Sequence, residues 1–272
     1  MRIQQGLAAV VLGMAAWAGA AQGAVAYDQT QTVVRTPVPG RLLPRTALAV
    51  NAVNNGSFET NGGAGISGFS GWTVVDQAGG SGSWYAQTGT TSPTSAATVM
   101  APTNGSFAAM TDQGGGGSHV LYQDIVVPAN GGTLVFDLFI NNQAAAFSVP
   151  SPASLDFTVN PNQQFRADLI STTAADFDVG AGVLANIYQT LPGDPLTSGY
   201  TTISFDLGAF AGQTVRLRFA EVDNQFFFQT GIDNVSILAA PTSVPVLGGW
   251  GLGLLMAALA LAGGLAWWRR AA

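Results

Sequence analysis

Residues 133–140 read TLVFDLFI and residues 213–220 read QTVRLRFA. In the first, Leu134, Phe136, Leu138 and Ile140 fall on one side of an extended chain, with Val135, Asp137 and Phe139 on the other. In the second, Val215, Leu217 and Phe219 alternate with Arg216 and Arg218. Period-two alternation marks half-buried strands of an antiparallel sheet. The same pattern recurs at 154–159 (Leu155, Phe157, Val159) and at 201–208 (Ile203, Phe205, Leu207), and turn-forming clusters separate the runs: PANGGT, NPNQ, LPGDPLTSG and AGQ. Between Asn51 and Ala240 no sustained helical period interrupts them. Many short strands joined by such turns predict an all-β, antiparallel β-sandwich.

The chain divides into four parts. Residues 1–26 carry Arg2, an apolar stretch from Leu7 to Ala18 and small residues ending in Ala24-Val25-Ala26, the layout of a secretory signal peptide. Residues 27–49 are rich in Pro and Thr and read as an extended spacer; the alternative is a first edge strand at residues 30–34. Residues 50–240 form the body. Residues 241–272 close the chain, and the run from Leu247 to Trp268 has no charge. A bilayer core of about 30 Å needs about 20 apolar residues in helix, so this run predicts a single transmembrane helix; the alternative is a buried helix of a soluble core. Arg269 and Arg270 follow at once, and positive charge marks the cytoplasmic side.

Composition bounds the chemistry. The 272 residues carry a formal charge of −6, with no cysteine and one histidine, and all the basic residues are arginine. Within the body only Arg166, Arg216 and Arg218 are basic, against every acidic residue except Asp28. So acidic a body repels nucleic acid and anionic membrane surfaces but suits divalent cations. The lone His119 and the absence of cysteine argue against a His-based zinc site and a cysteine nucleophile. The glycine runs are not followed by Lys-Ser/Thr, so they make no phosphate loop. A two-carboxylate glycosidase needs no histidine, yet the many acidic residues single out no pair. The densest, Asp176 with Asp178 and Glu221 with Asp223, fall in expected loops.

Two resemblances add to these readings. Val244-Pro245-Val246-Leu247-Gly248-Gly249-Trp250-Gly251 resembles the I-P-T-L-x-x-W-G signature of IPTL-type bacterial C-terminal sorting signals, relatives of the PEP-type signals processed by exosortases. Pro245, Leu247, Trp250 and Gly251 match, Val244 conservatively replaces Ile, and Arg269 and Arg270 form its basic end, while Val246 departs from the usual Thr. The resemblance implies export across the inner membrane of a Gram-negative bacterium, transient anchoring by the helix and display at the cell surface or in the matrix.

Within the body, NNGSFE at 54–59, GW at 71–72 and GIDNVSIL at 231–238 resemble the galactose-binding-like jelly rolls, including carbohydrate-binding modules. That family pairs its first and last strands and holds a structural calcium near their ends, which implies Glu59 and Asp233 as the metal carboxylates and Trp72 as a core residue. Asp233 shares parity with Val235 and Ile237, the expected inward face. A buried carboxylate needs a partner, so a cation and an Asx turn are both open for it.

Candidate ligand residues are Trp84, Tyr85 and Phe227, aromatics in turn-rich stretches suited to stacking on sugar rings. Arg166, Asp168, Arg216 and Arg218 join them on outward faces, where cross-strand ion pairing is the other reading. The function expected is a non-enzymatic surface module for glycan or matrix material. Its rivals are a structural or adhesive surface protein and, further off, a secreted two-carboxylate hydrolase.

Overall fold

The computed structural model describes residues 52–239 and the backbone of two short strands before them. The signal peptide, the rest of the spacer and the sorting signal with its apolar run lie outside the described residues. Among the described residues no helix is long and apolar enough to cross a membrane.

Twelve strands are present among the described residues: β1 (Thr36–Pro37), β2 (Ala49–Val50), β3 (Thr73–Asp76), β4 (Ser83–Gln87), β5 (Ala108–Asp112), β6 (Gly117–Val126), β7 (Thr133–Asn142), β8 (Gln164–Ile170), β9 (Val183–Gln189), β10 (Thr197–Asp206), β11 (Thr214–Asp223) and β12 (Phe228–Leu238). They form two antiparallel sheets. One has the order β1-β10-β7-β12-β5-β4, with β2 also on β12; the other runs β3-β6-β11-β8-β9. From β5 onward the chain passes repeatedly from one sheet to the other. Val50 opposes Ile237, so the first strand of the body pairs with the last. Two residues of the spacer also pair, Thr36 with Thr202 and Pro37 with Thr201; proline is tolerated there because β1 is an edge.

The inward residues read from the sequence meet in one core. Leu134, Phe136, Leu138 and Ile140 of β7 pack with Ile203 and Phe205 of β10 and with Val215, Leu217 and Phe219 of β11. Trp72 is in the core as expected, 5.2 Å from the Phe58 ring and 5.9 Å from Phe219, which in turn stands 5.0 Å from Phe136. Its Nε1–H donates to the Asn55 carbonyl at 3.1 Å, so the buried indole keeps its hydrogen bond. Gln123 ties both flanks of this corner, accepting from Asn54 N–H and donating to the carbonyls of Asn54 and Gly71.

Two expectations need correction. SLDFTV is not a strand. Asp156 turns the chain locally, accepting from the Thr158 N–H and hydroxyl, each at 2.8 Å, the Asx arrangement that competes with a ladder. Leu155 is nonetheless buried and Val159 exposed. Nor are β7 and β11 half-buried, since nearly all of their residues are buried, whereas β10 keeps the expected alternation. Val99 covers Met110, Phe139 and Tyr200 outside one sheet; Leu155 covers Val120, Ala220 and Val222 outside the other. Connections fold back over the outer faces, which period-two alternation does not reveal.

Phe219→Ala removes the ring that joins Trp72 to Phe136 and is expected to cost about 3–5 kcal/mol. Phe226→Ala, at an exposed position, is expected to stay within about 0.5 kcal/mol. Urea unfolding of the two variants checks the contrast.

Candidate functional site

A cleft of about 370 Å³ opens beside the end of β5. It is built from the sequence TSPTS upward. Asp112, the last residue of β5, is buried and holds this turn: its Oδ2 accepts from the N–H groups of Thr94 (2.6 Å) and Ser95 (2.7 Å), and its Oδ1 from the Ser95 hydroxyl (2.7 Å). Burial opposes the charge on Asp112, but these donors outweigh it and hold the carboxyl below its ordinary range. Gln229 extends the frame, donating to Asp112 Oδ1 and accepting from Asn141 and Gln143. The Gln143 N–H donates to the Phe227 carbonyl at 2.9 Å.

What this frame presents is neutral. Thr94, Ser95, Ala97, Gln113, Gly114, Gln143 and Phe227 line the cleft. Phe227 supplies a half-buried aromatic wall, braced edge-on by Phe226 at 5.0 Å. Gln143 is exposed, and Gln113 Oε1 is a buried acceptor with no partner among the described residues. An aromatic surface flanked by amides and hydroxyls is chemically suited to an uncharged polyhydroxylated ligand.

Of the expected ligand residues, only Phe227 lines this cleft. Trp84 lies on β4, not in a loop, and is wholly buried; Tyr85 beside it is half-buried. The arginines are not a surface set either. Arg166 grips Asp168 with two bonds of 2.7 Å, Arg218 reaches the same carboxylate at 2.5 Å, and all three side chains are buried. Asn186 adds a donor to Asp168. Arg218 also donates to the carbonyls of Asp176 and Asp178, because that connection lies across it. Burial opposes the Asp168 charge, and the two guanidiniums more than offset it, so its carboxyl stays below the ordinary range. Arg216 is nearer the surface, paired with Asp124 and Asp176 and stacked on the Tyr122 ring at 3.8 Å.

Glu59 and Asp233 both reach one loop. Glu59 Oε1 accepts from the N–H groups of Ser106 and Phe107, and Asp233 Oδ2 from those of Thr103 and Asn104. A Cβ on Gly105, between them at φ +68°, would collide with the Glu59 carboxylate. Calcium takes six to eight oxygen ligands; Glu59 Oε1 and Asp233 Oδ2 are each already engaged by two N–H groups of this loop. Asp233 also leaves its expected face. A bulge between Asp233 and Ser236, with Asn234 at φ +54°, resets the parity of β12. Ile232, Val235 and Ile237 enter the core, while Asp233 opposes Asp137 and shares the Thr103 hydroxyl with it. Glu221 and Asp223, expected in a loop, are buried on β11, and His119 opposes Glu221 on β6.

No protein-family model matches the chain, and no curated protein matches it. Solved structures do resemble it. The K1 cleaved adhesin domain of Lys-gingipain from Porphyromonas gingivalis W83 is 18% identical over 63% of this chain and 92% of its own, with a TM-score of 0.40. A structure of TmCBM61 in complex with β-1,4-galactotriose is 13% identical over 71% of this chain and 100% of its own, at 0.39. The family 11 carbohydrate-binding module from Clostridium thermocellum, in complex with a mixed-linked tetrasaccharide, is 13% identical over 64% and 91%, at 0.34. Likenesses this remote carry neither ligand nor activity across to this chain.

Two stability measurements follow from these networks. Asp168→Ala leaves two buried guanidiniums without their carboxylate and is expected to cost about 3–5 kcal/mol; Asp124→Ala, which removes an exposed carboxylate opposite Arg216, under about 1 kcal/mol. Thermal unfolding separates the two. The second concerns pH. Burial pushes the Asp233 carboxyl up to about 6, against the pull of the Asn104, Asn234 and Thr103 donors. A carboxyl raised on folding holds its proton better in the folded chain, so its contribution is full below about pH 4 and lost as pH rises through about 6. Asp233→Asn should flatten the fall in unfolding midpoint across that window; an unchanged slope contradicts the assignment.

Proposed function

We propose that this chain is an exported glycan-binding module that takes an uncharged oligosaccharide in the Phe227 cleft. The observation that carries the reading is the cleft itself: an aromatic wall, amides and hydroxyls on a buried frame, and no charged residue in the lining. Sugar hydroxyls pair with amides and hydroxyls, and the apolar face of a pyranose stacks on an aromatic ring. A lining without carboxylates favours binding over two-carboxylate hydrolysis. The repeated crossing of the chain between sheets and the pairing of β2 with β12 support winding as a jelly roll. Export, recognition by an exosortase-type enzyme and transient anchoring in the membrane complete the proposal. They rest on the signal-like N-terminus, on Pro245, Leu247, Trp250 and Gly251, and on Arg269-Arg270 after the apolar run. The site of action is then the cell surface or the matrix around it.

Binding of the full chain to an oligosaccharide array tests the reading. Phe227→Ala and Gln143→Ala are each expected to weaken the best signal about tenfold, which corresponds to about 1.4 kcal/mol, with the unfolding midpoint kept. Binding that survives both substitutions contradicts the cleft as the site. Silence across the whole array favours the structural or adhesive protein instead.

A further inference from the structure

The interior end of the second sheet holds a group of side chains that the glycan cleft does not use. His119 and Glu221 stand directly opposite each other on β6 and β11, and Asp223 follows two residues later on the same side. All three are buried, and one potential ligand atom from each lies within 4.8 Å of the others. Both carboxylate oxygens of Glu221 lack a hydrogen-bond partner among the described residues. A buried carboxylate with neither hydrogen bond nor ion pair is costly to fold, and this one is aimed at a histidine and a second carboxylate.

We propose that His119, Glu221 and Asp223 bind a first-row divalent metal ion of the zinc type. The surroundings are arranged for it. Asp76 Oδ1 lies 2.8 Å from His119 Nδ1, the outer carboxylate that commonly fixes the ring of a metal-binding histidine and leaves Nε2 as donor. The Ser81 carbonyl accepts from that Nε2–H at 3.1 Å; with an ion in place of the proton it offers a fourth ligand. Gly117 gives the room: a Cβ there would stand 2.5 Å from Nε2 and 2.6 Å from the Ser81 oxygen. Its N–H donates to Asp223 Oδ1 at 3.0 Å, orienting that carboxylate.

One imidazole, two carboxylates and a carbonyl select the class of ion. Calcium and magnesium take oxygen alone, whereas imidazole nitrogen suits zinc and its neighbours. Metal–ligand bonds of about 2 Å place two ligands of one ion up to about 4 Å apart, which slight side-chain rotation reaches. Protonation is the competing way to neutralise the group. Burial and then the Asp223 charge push the Glu221 carboxyl well up, and burial pushes Asp223 up to about 7. A bound dication removes the need for either to hold a proton. Histidine poverty argued against a zinc site built from histidines; carboxylates from β11 supply the missing donors.

The ion would have a structural role, joining the Ser81 turn and the ends of β3, β6 and β11. Ser81 also accepts the Gly114 N–H through its hydroxyl and donates its own N–H to Gly116. Gly114 also lines the cleft, but the metal site stands whether or not the cleft takes a glycan.

The test uses the full chain, purified without a polyhistidine tag, stripped with chelator and titrated with zinc and, separately, calcium. One zinc per chain, a raised unfolding midpoint and at least tenfold weaker zinc binding in Glu221→Gln are expected, with calcium unable to substitute. X-ray absorption on the zinc-loaded wild-type chain needs no variant. His119 is the only histidine, so imidazole scattering around the metal can come from nowhere else. Failure to take up zinc, zinc without imidazole scattering, or unchanged affinity in a folded Glu221→Gln chain overturns the proposal.

Discussion

Connections in this protein lie across the outer faces of both sheets, and every polar side chain they cover has to find a partner there or lose its hydration without return. That constraint shapes the buried chemistry outside the central core. Asp168 takes two arginines and an asparagine. Asp112 takes the backbone of the TSPTS turn, and Asp233 takes the start of the Thr103–Phe107 loop. Asp112 and Asp233 fix connections by accepting their N–H groups, and Asp168 holds Arg218, which donates to the carbonyls of the 176–178 connection, so polar residues here define the path of loops as much as apolar ones define the sheets. An acidic chain without cysteine or lysine has few other means of pinning long loops.

The cleft is a product of the same economy of partners. Asp112 is spent on the turn and Gln229 on joining Asp112 to Gln143, which leaves Thr94, Gln143 and the half-buried Phe227 ring at the surface of the cleft. At the far end of β11 the constraint is not met among the described residues. Glu221 has no donor, and an ion held with His119 and Asp223 would satisfy the rule that the other buried carboxylates obey.

The sheets were legible in the sequence because the inner faces of β7, β10 and β11 alternate strictly: Leu134 to Ile140, Ile203 to Phe205, Val215 to Phe219. Trp72 was legible through its short motif. SLDFTV alternates as well, yet Asp156 supplies a local turn that periodicity ignores. Parity failed at Asp233 because the bulge at Asn234 inserts a residue into the ladder. Exposure failed for Trp84 because it stands on β4 facing the central core, and for Arg166 and Arg218 because their outer face is buried, with a connection distant in sequence lying across Arg218. Of the cleft, only Phe227 was legible. Gln113, Gln143 and the Thr94–Ser95 turn come together from separate connections, and no local pattern marks them. His119 and Glu221 are far apart in sequence and meet only through strand register.

The most direct measurement is amide NMR of the full chain titrated with β-linked gluco-, galacto- and xylo-oligosaccharides, following the side-chain NH₂ signals of Gln113 and Gln143 and the backbone of Thr94 and Ser95. A glycan-binding cleft framed by Asp112 and walled by Phe227 predicts saturable shifts confined to these groups with at least one sugar series. Saturable shifts centred on another face, with these signals unmoved, contradict it.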